Sequence, residues 1–165
     1  MLRLARGSAL AALVLSVAGP ISAADAPVVG GCRIEPATNC SFKKLEKADL
    51  RGADLADASL HGVVLTGANL EGANLQRADL QVGNLSQANL RDANLEGAHL
   101  FANDARGTQF QRANLRNVNL QDAHLEGANL QGADLTGATL GTVQLDGATW
   151  TDGRVCAAPS RGACQ

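Results

Sequence analysis

The chain has 165 residues, with 18 Gly, three Phe, one Trp and no Tyr, and its 14 Lys and Arg against 16 Asp and Glu give a formal charge of −2. A slightly acidic chain of this kind lacks the basic footprint of a nucleic-acid-binding protein. No GxSxG, HExxH, CxxC, P-loop or dinucleotide fingerprint occurs, so the sequence indicates no catalytic, cofactor-binding or metal-binding residues.

Residues 1–24 differ in character from the rest. Arg3 and Arg6 precede an apolar stretch from Ala9 to Ala18, and Ser22-Ala23-Ala24 stand before Asp25. This pattern predicts a secretory signal peptide cleaved after Ala24. The apolar run is shorter than the about 20 residues a membrane-spanning helix needs, so no membrane span is expected. The expected location is periplasmic or extracellular. Cleavage would remove two arginines, leaving 12 basic against 16 acidic residues and a formal charge of −4. A lipoprotein reading would use Val29-Gly30-Gly31-Cys32, but that box lies far beyond the apolar stretch.

From Leu45 to Leu145 every fifth residue is Leu or Phe, with Ala105 the single exception. A period of five suits neither a helix, on which the leucines would scatter around the axis, nor a flat strand, on which they would alternate faces. The chain must turn within each repeat. Short extended pieces separated by corners let every Leu point to a common axis while backbone hydrogen bonds run between successive coils. The expected fold is therefore an all-β solenoid stabilised by stacking of units that cannot bury their apolar faces alone.

Each unit reads Ala, then Asn or Asp, then Leu, as in Ala53-Asp54-Leu55, Ala73-Asn74-Leu75, Ala93-Asn94-Leu95 and Ala128-Asn129-Leu130. Over roughly residues 41–150 this resembles the pentapeptide-repeat family. The resemblance implies a right-handed quadrilateral β-helix with four repeats per coil and about five to six coils, the Leu and the preceding Ala inward and the other three positions outward. A twenty-residue coil also shows itself within the sequence. Seven of the 21 small-residue positions depart from Ala: Lys43, Val63, Gly83, Asn103, Thr108, Val118 and Val143. Five of these fall on one series spaced by twenty. Ala105 is followed by Phe110, the one Phe among the central positions, and the pair is expected to conserve core volume.

The four cysteines fall in two pairs of equal spacing, Cys32 with Cys40 and Cys156 with Cys164, consistent with an oxidising compartment. Neither pair has the short spacing of a structural zinc site. About five coils at roughly 4.8 Å each would separate the ends by some 25 Å, whereas a disulfide tolerates a Cα separation of about 4.4 to 6.8 Å, so the two local pairings are expected. Residues 25–44 and 151–165 are read as caps on a solenoid of residues 45–150, with Trp150 as a lid, because open solenoid ends invite end-to-end stacking.

On the surface, His61, His99 and His124 map to different columns and are read as solvated. The carboxylates occupy outward positions, interrupted by Arg51, Arg77, Arg91, Arg106, Arg112 and Arg116. Stacked Asn74, Asn94 and Asn114 are expected to bond the corner backbone. Apolar residues in outward positions single out Val82 and Phe101, with Asn103 beside them, as a candidate partner surface. The function expected is an exported, non-enzymatic structural or protein-interaction scaffold displaying polar faces to an unknown protein or envelope component, with no cofactor. The resemblance also implies an alternative, a DNA-mimicking gyrase-binding protein, which would need a continuous negative stripe and the cytoplasm. A carbohydrate-active β-helix enzyme is a lesser alternative.

Overall fold

The computed structural model describes residues 26–165, and the signal-peptide reading lies outside them. Two short strands, β1 (Val28–Val29) and β2 (Cys32–Arg33), pair as an antiparallel hairpin. From Asn39 onward the chain is a right-handed, four-sided β-helix. From Asn39 to Asn129, each residue before a central position forms a parallel bridge with the residue twenty positions later, as in Lys44↔Val64, Asp49↔Asn69, Asp54↔Asn74 and Ser59↔Asp79. The first rung, Asn39↔Ser59, lies within the segment read as the N-terminal cap.

The period of five arises from one turn per repeat. The carbonyl of each central residue accepts a hydrogen bond from the amide three residues on, as Ala48 N donates to Leu45 O at 3.1 Å and Ala68 N to Leu65 O at 2.9 Å. The second residue after each central residue from Cys40 to Leu135, and again after Leu145, has positive φ, including Gly67 at 65° and Gly72 at 65°. A left-handed third residue is the signature of a type II turn, in which Gly is favoured because it has no Cβ to clash. Between turns, amides alternate upward and downward. Leu45 N donates to Val64 O at 2.7 Å while Val64 N donates to Lys43 O at 2.9 Å.

Inside, the leucines form four columns, and Leu55 through Leu100 at five-residue steps are fully buried. Ala105 and Phe110 are both fully buried, and Phe110 is the largest side chain so enclosed. Cys40 occupies a central position one step before Leu45 and is likewise buried. It is bonded to Cys32, and Cys156 is bonded to Cys164, with Cα separations of 5.2 and 4.9 Å. Cys32 is thus committed to a disulfide, which leaves no free thiol for the lipoprotein reading.

At the far end the chain reverses after Trp150 and runs back over the last coil through the antiparallel bridges Thr149↔Val155 and Gln144↔Arg161. Trp150 is half-buried against the core. This return covers the Leu145 side, whereas Leu135 and Leu140 remain only partly buried. No helix among the described residues is long and apolar enough to cross a membrane.

Candidate functional site: an apolar ridge on one corner

With coils numbered by twenties, residues 41–60 form coil 1 and residues 121–140 coil 5. The left-handed corner position recurs once per repeat, and among the described residues twelve non-glycine residues occupy such a conformation. For an L-residue this backbone costs roughly 1–2 kcal/mol. Asn and Asp tolerate it best, and eight of the twelve are polar or charged, four of them Asn or Asp. The four apolar ones are Ala37, Phe42, Val82 and Ala102, and three of these stand on one corner column: Phe42, Gly62, Val82, Ala102 in coils 1 to 4. Val82 is β-branched, the side-chain type least compatible with positive φ.

The same column carries the most exposed large apolar groups of the solenoid, Phe42 at 72 % and Val82 at 57 %. The Phe42 ring meets His61 edge-on at a centroid distance of 5.5 Å. It also lies over Gly62, where an added Cβ would come within 2.6 Å of Phe42 Cδ1. Gly62 thus makes a shelf for the ring, and Val82 follows on the same column one coil further on. Half-buried Phe101 and Val64 flank it.

Of the residues expected to form a partner surface, Val82 is exposed and Phe101 is half-buried. Asn103 is corrected: it occupies the inward small-residue position, is fully buried, and donates from Nδ2 to Leu80 O at 2.6 Å. Its Oδ1 has no hydrogen-bond partner among the described residues. Phe42 escaped the sequence reading because it precedes the first Leu of the repeat; its place three residues before Leu45, where Gly recurs along the chain, was the available signal.

Elsewhere the surface charge is locally neutralised. Arg77 bonds Asp57 and Arg112 bonds Asp92 through two hydrogen bonds each, at 2.6–2.7 Å, from one coil to the next. Arg51 and Arg106 similarly clasp Asp49 and Asp104 within their own repeats. The guanidinium hydrogen bonds hold all four carboxyls below the usual carboxylate range. Asp134 is also held low, first by the Thr136 hydroxyl and then by Arg116. In contrast, all three lysines of the chain, Lys43, Lys44 and Lys47, gather in coil 1 and make no ion pair among the described residues.

The polar ladder is backbone chemistry. Asn94 Nδ2 and Asn114 Nδ2 donate to the amide oxygen one coil earlier, at 3.4 and 3.0 Å. Each Asn oxygen in turn accepts from the amide two residues on, as Glu96 N donates to Asn94 Oδ1 at 3.2 Å, which stabilises the corner. His61 lies 3.9 Å from Asp79 and His124 3.2 Å from Glu126. Among the described residues no three His, Cys, Asp or Glu side chains are grouped to hold a metal ion.

Two family models match the chain: pentapeptide repeats, in eight copies, over residues 44–81, and a pentapeptide repeat region over residues 82–150. Together they take in well over half of it. No curated protein matches the sequence. Among solved structures, HetL, a pentapeptide repeat protein involved in heterocyst differentiation regulation from the cyanobacterium Nostoc sp. strain PCC 7120, is 36% identical, with 71% of this chain and 63% of that one covered and a TM-score of 0.49. Rfr23 from the cyanobacterium Cyanothece 51142 is 32% identical, with 62% and 64% covered and a TM-score of 0.44. A pentapeptide repeat protein from the thylakoid lumen of Arabidopsis thaliana is 26% identical, with 81% and 77% covered and a TM-score of 0.46. The chain spans less than two thirds of the length of the first two. Its leucine columns, its one turn per five residues and the repeat models that match residues 44–150 agree that the chain belongs to the pentapeptide-repeat family.

Proposed function

We propose that the protein is an exported, non-enzymatic scaffold whose rigid solenoid presents fixed side-chain arrays to a protein partner in the periplasm or outside the cell. The observation that carries this reading is the pair of disulfides, one at each end of the solenoid. Disulfides persist in oxidising compartments and are rare in the cytosol, which agrees with the signal-peptide pattern at residues 1–24. The non-enzymatic part rests on a sequence that carries no catalytic fingerprint. The arginine–aspartate clasps speak against the DNA-mimicking alternative, because they break the negative stripe that a phosphate mimic would need.

The test is the intact, non-reduced mass of the protein recovered from fractionated cells expressing the full sequence. A species beginning near Asp25, lighter by four hydrogens than its reduced form and found outside the cytoplasm, is the expected result. An uncleaved, reduced, cytoplasmic species overturns the proposal.

A further inference from the structure

We propose that the corner ridge is a self-association surface, on which a second copy of this chain docks antiparallel about a two-fold axis between coils 2 and 3. The proposal deepens the scaffold reading by naming the ridge's first partner, and it rests on that reading only in treating the ridge as an interaction surface.

Three observations converge on one strip. Left-handed corners recur in every repeat, but three of the four apolar residues that hold one stand on a single column, and side chains kept at strained positions against their preference point to a function there. Those residues are also the most exposed large apolar groups of the solenoid. The third observation is the charge at the two ends of the strip. Lys43 and Lys44 lie in coil 1 without an ion pair among the described residues, while Asp104 lies in coil 4 and Asp122 in coil 5. Asp104 is already clasped by Arg106, whereas Asp122 accepts a hydrogen bond from the Thr142 hydroxyl and has no cation beside it among the described residues.

An isologous interface places the same patch on both copies, so it must be complementary to itself. With the axis in the interface plane and perpendicular to the solenoid, each column meets itself reversed, coil 1 against coil 4 and coil 2 against coil 3. The Phe42 ring rests on Gly62 in coil 2, so it faces Val82 of the second copy, and the contact is made twice. The small Ala102 faces the Phe42 backbone, which leaves room for approach. Lys44 of each copy faces Asp104 of the other, which stands on the same column in coil 4, whereas a parallel arrangement would set lysine against lysine. The strip is about 15 Å long at a coil spacing of about 4.8 Å and only one corner wide, so it covers a small fraction of the ~800 Å² per partner that a standard specific interface buries. Association is therefore concentration-dependent.

Sedimentation velocity of the purified, disulfide-intact protein tests this, with circular dichroism to establish that each variant is folded. Wild type is expected to rise about 1.5-fold in sedimentation coefficient between roughly 5 and 500 µM, a range in which weak specific contacts are populated. Phe42→Lys and Val82→Glu should each remain monomeric. Mixed one to one, they should restore the dimer, because the antiparallel register sets the introduced lysine of one variant against the introduced glutamate of the other and keeps one native contact between Phe42 and Val82. A wild type that stays monomeric throughout, variants that still dimerise, or a mixture that fails to recover each overturns the proposal. So does a wild type that stays monomeric but co-sediments with phosphatidylglycerol vesicles, which would make the lysine end a lipid-binding surface. None of these results depends on where the protein resides, so the dimer can fail while the export reading stands.

Discussion

Gly83 and Asn103 stack in adjacent coils, and the first prediction concerns their coupling. Every other described glycine has positive φ; Gly83 does not, so its backbone has no need of glycine. What it supplies is space: a Cβ there would lie 3.0 Å from Asn103 Nδ2. The carbonyls of Leu80 and Val63, each 3.1 Å from that Cβ position, belong to a slot that Ala fills in most repeats. Gly83→Ala alone should displace the amide and break its bond to Leu80 O, stranding a buried polar group at about 1–3 kcal/mol. The reduced freedom of the unfolded chain offsets about 0.4–1 kcal/mol of that, so a net loss of about 1 kcal/mol is expected. Asn103→Ala alone removes a hydrogen bond worth about 1 kcal/mol and also removes an oxygen that has no partner, so it should be near neutral. Leu80 O keeps its bond from the Gly83 amide at 3.2 Å. The double variant restores the Ala column and should exceed wild type by about 1 kcal/mol, with a coupling of about 2 kcal/mol. Urea unfolding followed by far-ultraviolet circular dichroism, disulfides intact, measures all four corners of the cycle. Additive changes, or a double variant weaker than Asn103→Ala, would refute the reasoning.

Val82→Gly should raise monomer stability by about 1 kcal/mol, since relief of the left-handed valine outweighs the entropy that glycine adds to the unfolded chain; thermal melts at low micromolar concentration measure it, and an unchanged or lower midpoint contradicts it. Replacing Cys156 and Cys164 together by Ser should cost about 2–3 kcal/mol, from the loop entropy of a short closed segment, and hydrogen exchange should show protection lost first over residues 143–150; protection lost uniformly along the solenoid would place the bridge outside the cap. The clasped carboxyls of Asp49, Asp57 and Asp92 lie below their ordinary range when folded. Their contribution is therefore complete above the unfolded carboxylate range and is lost as pH falls through the lower folded values. Being exposed, these pairs should yield a shallow decline below about pH 4, steeper at low salt; a loss of stability centred near neutral pH would contradict it.

The solenoid was legible because its determinants are local and repeated: each Leu, and the Ala two before it, reports its own inward position. The twenty-residue rise was legible through the shared departures at Lys43, Val63, Gly83, Asn103 and Val143. The corner ridge was not. Exposure at a corner depends on the residue one coil away, and Phe42 stands out because Gly62 beneath it has no side chain, a relation across twenty residues. Asn103 misled for the converse reason. A polar residue suggests a surface, yet its position in the repeat points inward, and only the empty space at Gly83 explains how an amide fits.

The uniform reach of the ladder has a consequence for how such a chain can change. Every inter-coil hydrogen bond of the repeats joins residues about twenty apart, wherever it lies. Closing each new coil therefore incurs the same loop entropy whatever the total length, and copying twenty consecutive residues in frame adds a coil without disturbing those already formed. A one-residue insertion is different in kind, since it moves every later Leu off its column until a compensating deletion restores the count. Growth by whole coils also translates the ridge: a duplication placed between Gly62 and Val82 would lengthen the strip while leaving its two charged ends intact.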